Sequence, residues 1–115
     1  MKRRVVVTGL GCVTPVGNDV GSSWQALLDG KSGGALITHF DASNLKVKFA
    51  CELKAFDPAL YMDRKEIKRS DLYTQYAMAA AVQAMQDAGL AEGTWFAADR
   101  CGVIIASGIG GINTF

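Results

Sequence analysis

Five kinds of feature in this chain have the means to do chemistry: a glycine pair, three cysteines, one histidine, a basic run and a second glycine cluster. The first is Gly9-Leu10-Gly11, which follows the apolar Val5-Val6-Val7. A dinucleotide's pyrophosphate is cradled where a strand, G-x-G-x-x-G and a helix follow one another, with an acidic residue about 20 positions on. Here Thr14 stands at the third glycine position and Pro15 follows it. A β-branched residue there holds a following helix away from the strand, and the residue before a proline is pushed out of helical geometry. The acidic candidate at the right distance, Asp29 in Leu27-Leu28-Asp29-Gly30, belongs to a helix end. The dinucleotide reading is set aside, and the pair needs another explanation.

The second cluster, Gly108-Ile109-Gly110-Gly111, is no P-loop, because no Gly-Lys-Ser/Thr follows it. Cys12, Cys51 and Cys101 are odd in number, widely spaced and set in apolar surroundings, with no C-x-x-C and only His39 to assist. A zinc site lacks partners, so no metal and no cofactor is expected. The thiols are expected to be reduced, buried and structural, as in a cytosolic protein. His39, in ITHFD, reads as a turn residue rather than a base. Arg64-Lys65-Glu66-Ile67-Lys68-Arg69 is the densest positive charge and, from composition alone, the solvated start of a helix. Twelve basic against eleven acidic side chains point to neither nucleic acid nor a membrane surface as partner. MKRR followed by VVVTGLG is too short and too soon broken for a signal peptide, and no stretch is long enough to span a bilayer.

The elements that must position these residues read as β-α-β, an irregular stretch, a long helix and a final strand. Residues 4–8 and 100–106 are apolar on both faces, the pattern of strands in a sheet covered on two sides. Asp19 caps a helix through Trp24, Leu27 and Leu28 that closes at Gly30. Residues 33–37 and 47–53 read as short strands, and residues 57–62 as a turn of helix. Ser70 or Asp71 opens a long helix that ends at Gly89. Ala77, Ala79, Ala80, Ala81, Ala84 and Ala88 surround it with Met78, Val82 and Met85 between, leaving no broad charged face. A surface helix carries a polar face, so this one is expected to lie between layers.

Strands and a helix without polar faces demand more covering layers than 115 residues supply. The chain is at most one domain, and it is expected to be the first part of a larger protein.

RVVVTGLGCVTPVG, SSWQALLDGKSG, ITHFDAS, DRKEIKRSD, AAVQAMQDAGL and VIIASGIGG occur in one order and spacing. Together they resemble the N-terminal part of the β-ketoacyl-[acyl-carrier-protein] synthases, type II most of all, over nearly the whole chain. The resemblance implies an α/β fold, the N-terminal portion of a thiolase-like α-β-α-β-α layered arrangement, incomplete over residues 1–115. It implies an acyltransferase of fatty-acid synthesis, cytoplasmic and homodimeric, that takes substrates from acyl carrier protein. The opening glycines then resemble a structural turn that lets the backbone pass close to neighbouring layers.

The family's chemistry, a decarboxylative Claisen condensation, uses one cysteine and two histidines C-terminal to this region. None of Cys12, Cys51 and Cys101 stands in that cysteine's setting, so no catalytic residue is expected here and these 115 residues alone are expected to be inactive. Two segments retain functional roles by resemblance. Lys65, Lys68 and Arg69 match the basic segment that meets the acidic helix of the carrier. Gly108 and Ile109 match the turn beside the acyl-chain pocket, where a compact aliphatic side chain suits long chains. Two other readings stay open: a polyketide ketosynthase or chain-length-factor relative, and a non-catalytic carrier-binding or dimerisation fragment.

Overall fold

A computed structural model of the chain describes residues 2–90 and 97–111. The chain divides into two compact units, one formed by Val13–Phe56 and the other by the described residues of Met1–Cys12 and Asp57–Phe115.

The first unit holds helix α1, Val20–Leu28, and a two-stranded antiparallel hairpin of β1, Ala35–Leu36, and β2, Phe49–Ala50. Asp19 caps α1 as its sequence predicts, its carboxylate accepting from the Ser22 N–H at 2.8 Å. The helix ends where Gly30 turns left-handed at φ 67°. There Gly30 N–H donates to Leu27 O at 3.1 Å and Lys31 N–H to Ala26 O at 2.9 Å, the paired bonds that satisfy last-turn carbonyls. The segment Thr14–Gly17 turns back on itself and docks on α1 through Ser23, whose buried hydroxyl lies 2.9 Å from that of Thr14 and bonds Gly17 O at 3.0 Å. Lys54 reaches across the unit, its ammonium donating to Gly33 O at 2.7 Å and Pro15 O at 3.2 Å. The two strands fall within the expected segments 33–37 and 47–53 but are shorter, pairing Ala35 with Ala50 and Leu36 with Phe49. Glu52 extends the hairpin past them by accepting from Thr38 N–H, Thr38 Oγ1 and His39 N–H at 2.8–3.2 Å.

The second unit is organised by α3, Leu72–Asp87, which follows the N-cap Asp71 and closes at Gly89 in the left-handed region, φ 69°. Its alanines, glutamines and methionines are strong helix formers. A 3₁₀ turn, Pro58–Leu60, packs on α3 and on the short helix α2, Arg64–Ile67. The opening glycines lie along α3: a Cβ on Gly9 would sit 2.6 Å from Ala88 N and one on Gly11 2.6 Å from Ala84 N. Leu10 N–H donates to the Asp87 carboxylate at 2.8 Å and Cys12 N–H to Gln83 Oε1 at 3.2 Å. The pair is therefore a helix-contact surface.

Three expectations change. Residues 4–8 and 100–106 run without a sheet partner among the described residues, and their side chains are open: Val5 is 88% and Ile104 97% exposed. A strand is held by a neighbour's N–H and C=O groups, and no described segment lies alongside to supply them. For the same reason α3 is not covered all round. Ala79 is fully buried, whereas Met78 and Tyr73 are exposed. Cys51 and Cys101 are exposed rather than buried, since the stretches that carry them lack a covering layer; no disulfide joins any of the three cysteines. Among the described residues no group of His, Cys, Asp and Glu side chains could hold a metal ion, and no helix is long and apolar enough to cross a membrane.

Candidate functional site

The basic segment is built as a short, doubly anchored helix. Four residues of α2 form too little helix to stand alone, because nucleating a helix is costly. Asp63 supplies the N-terminal anchor, its carboxylate accepting from Lys65 N–H at 2.8 Å and Glu66 N–H at 2.9 Å. Glu66 reaches back to Asp63 N–H at 3.4 Å, completing a reciprocal cap. This cap has an electrostatic consequence. The Asp63 and Glu66 carboxylates face backbone N–H groups, and among the described residues Arg64, Lys65, Lys68 and Arg69 form no ion pair. All four cations are exposed. Lys65, Lys68 and Arg69 thus share one short, exposed basic segment whose cations, among the described residues, are held in no ion pair.

At its far end the segment passes Lys68 and Arg69 and meets α3. Gln75, only 7% exposed, donates from its amide nitrogen to Ile67 O at 3.2 Å and Ser70 O at 3.0 Å. Nearby, Gln83 Nε2 donates to the Tyr61 hydroxyl at 3.0 Å, tying the 3₁₀ turn's end to α3.

The second predicted segment, residues 108–111, is a turn. Ile109 is 78% exposed and Gly108 has open space where a Cβ would stand. Gly110 is the turn's contact point: a Cβ there would lie 2.8 Å from Tyr73 Cε1, so the turn rests on the Tyr73 ring. Sequence reasoning passes over both Tyr73 and Gln75. Residue type does not mark Gln75, since α3 also carries Thr74, Gln83, Gln86 and Asp87.

The remaining titratable groups are structural. Hydrogen bonds from the Thr38 hydroxyl first, and then from backbone N–H groups, hold the Glu52 carboxyl below its ordinary range. The Ser22 N–H does the same for Asp19 at the start of α1. Each also accepts from a hydroxyl at 2.8 Å, Asp19 from Ser22 and Glu52 from Thr38.

Residues 2–114 match the family described as beta-ketoacyl synthase, N-terminal domain. The chain belongs to this family. It is 54% identical over 112 residues to the 3-oxoacyl-[acyl-carrier-protein] synthase 2 of Vibrio harveyi, a match covering 97% of this chain and 27% of that protein. The protein of the same name from Coxiella burnetii is 54% identical over 111 residues, 96% of this chain and 27% of its own length. Among solved structures, the ishigamide ketosynthase/chain length factor superposes with a TM-score of 0.74 at 37% identity, covering 80% of this chain and 23% of that one. The fold described above is therefore a ketosynthase fold over the superposed part. The chain spans about a quarter, 27%, of the length of the curated relatives it matches.

Proposed function

We propose that this chain is the N-terminal portion of a β-ketoacyl-[acyl-carrier-protein] synthase that elongates fatty acyl chains by decarboxylative Claisen condensation. The observation that carries the reading is the 54% identity to a 3-oxoacyl-[acyl-carrier-protein] synthase 2 across 97% of the chain. In the reaction, a cysteine thiolate displaces the carrier thiol from an acyl thioester. A malonyl-carrier then loses carbon dioxide, and the resulting carbanion attacks the enzyme-bound thioester. The new carbon–carbon bond forms as the enzyme's thiolate leaves, giving a β-ketoacyl-carrier. The thiolate and the two imidazoles of this chemistry belong to the remainder of the enzyme. Residues 1–115 contribute the first strands and helices of the α-β-α-β-α layers, where the apolar faces of residues 5–7 and 103–105 are covered.

Within that enzyme, a homodimer, Lys65, Lys68 and Arg69 receive the acidic helix of the acyl carrier protein. That they form no ion pair among the described residues supports this role. Charges of this kind steer encounter and set register more than they add affinity. Gly108 and Ile109 form part of the acyl-chain pocket wall. The likeness to a ketosynthase/chain length factor supports a second reading, a polyketide relative, but at 37% against 54% identity it is the weaker one.

The test is condensation by the full-length protein, with acyl- and malonyl-carrier as substrates and the β-ketoacyl-carrier measured as product. Carbon dioxide release coupled to chain extension supports the reading. A full-length protein that binds carrier but forms no carbon–carbon bond would mark it as a chain-length-factor-like subunit.

A further inference from the structure

The cations of the basic segment are held at one end by the Asp63–Glu66 cap, which lies inside the segment itself. The other anchor comes from outside. Gln75 is buried, and its amide nitrogen donates to two carbonyls, Ile67 O and Ser70 O, that bracket Lys68 and Arg69. Local bonds hold the start of this stretch, Lys68 N–H on Arg64 O at 3.3 Å and Arg69 N–H on Glu66 O at 3.0 Å, but at its end Ser70 N–H and Ser70 Oγ each reach Ile67 O only at 3.4 Å. A buried amide is costly to leave unpaired, so both N–H groups hold the strand of chain between those carbonyls in one place.

We infer that Gln75 is a positioning residue for carrier recognition: it fixes the backbone from which Lys68 and Arg69 project and so sets the register of the positive segment. The inference rests on the carrier-docking reading above and deepens it. Gln75 touches no substrate. Long-range attraction depends on the number of charges and survives without it. The docked geometry depends on where the charges stand and does not.

The experiment uses the full-length enzyme with acyl-carrier as the varied substrate. Gln75→Met keeps the side chain's length and apolar stem while removing both donors. Gln75→Glu keeps the shape and replaces the donor with an acceptor. Lys68→Glu/Arg69→Glu reverses the charges themselves. For either Gln75 variant, KM for the carrier substrate should rise roughly three- to tenfold, the scale of one net hydrogen bond's worth of positioning, with kcat at saturating carrier retained. For Gln75→Met the slope of log KM on log salt should stay at the wild-type value, because every charge is still present; Gln75→Glu adds a carboxylate beside Lys68 and Arg69, so the slope is read from the Met variant alone. In the charge-reversed enzyme the slope flattens, and adding Gln75→Met there should raise KM little further.

If charge reversal raises KM and flattens the slope while folded Gln75 variants match wild type, the positioning role is wrong and the docking reading stands. If charge reversal leaves KM and slope unchanged, the docking reading fails and takes the inference with it. A fall in kcat and melting temperature together, or failure of both Gln75 variants to fold, would make Gln75 a core residue and overturn the inference.

Discussion

Replacing Gly11 by alanine tests the account of the opening glycines most directly. The added Cβ would overlap Ala80 O, stand 2.6 Å from Ala84 N and lie 2.8 Å from Gln83 Cβ. Two of these three neighbours are backbone atoms of a continuous helix, which cannot yield as a side-chain tip can. Forcing a methyl into such a contact typically costs about 1–3 kcal/mol. Against this, alanine restricts the unfolded chain and recovers roughly 0.4–1 kcal/mol. The difference runs up to about 2.6 kcal/mol with a midpoint of ~1.3 kcal/mol, which changes a folded-to-open ratio roughly tenfold. Native-state amide exchange in the full-length protein reads this locally. The Leu10 and Cys12 N–H groups, bonded to Asp87 and Gln83, should lose protection by that factor. Gly108→Ala is the control, since nothing lies within 4 Å of its added Cβ and protection should not change. Equal protection in wild type and Gly11→Ala would refute the close contact. A dinucleotide that restores protection would reopen the phosphate-binding reading.

Reversing charge at Lys65 and Arg69 in the full-length enzyme should flatten the salt dependence of carrier association and cost more with carrier-bound than with small thioester substrates; equal losses for the two would show that these residues support folding. Ile109→Phe should slow enzyme acylation by long primers far more than by short ones. Because a ring on a pocket wall faces open space rather than a filled core, melting temperature should move little, and parallel loss of activity and stability at all chain lengths would make it a core residue. The Glu52 carboxyl has a folded pKa depressed below its ordinary value of 4.5. Its contribution to stability is therefore full above that value and lost as pH falls through the lower, folded one. Glu52→Gln should flatten that acid limb in unfolding experiments between about pH 6 and 3, and an unchanged limb would show that the hydrogen bonds from Thr38 and His39 are immaterial.

Local signals were legible in the sequence because short-range chemistry fixes them. Asp19 and Gly30 bound α1, Gly89 closes α3, whose N-cap Asp71, one of two candidates, makes no side-chain capping bond, and the hairpin lies within the two predicted strand segments. The basic segment was legible for the same reason: charge is written in residue type. What could not be read was the pairing of residues 4–8 and 100–106. Their two-faced apolarity states that they want covering layers, but a pattern cannot say which segment supplies them. The exposure of Cys101 follows from that gap. Gln75 was illegible for a different reason. Its role comes from two carbonyls five and eight positions earlier, and carbonyls look alike in every sequence.

The misleading resemblance of Gly9-Leu10-Gly11 to a phosphate loop has a geometric origin. An extended chain advances about 6.6 Å in two residues, and an α-helix advances about 6 Å in four. The two are nearly commensurate, so an extended segment can lie along a helix and meet it repeatedly at matching steps. Here Gly9 faces Ala84 and Ala88 while Gly11 faces Ala80 and Ala84, a two-residue step against a four-residue one, running in opposite directions. The polar contacts keep the same beat, Leu10 with Asp87 and Cys12 with Gln83. Alternate residues must lack a side chain for the backbones to close, and G-x-G is the shortest sequence that satisfies this. A dinucleotide loop needs glycine for the same reason, close backbone approach, but toward a pyrophosphate. What separates the two uses is the surface opposite. Ala80 and Ala84 on α3 and Ala88 at its C-cap, with Gln83 and Asp87 beside them, are the counterpart of this pair. The alanine stripe and the glycine pair are two halves of one contact, and α3 also carries the Gln75 clamp on the basic segment and the Tyr73 support beneath Gly110.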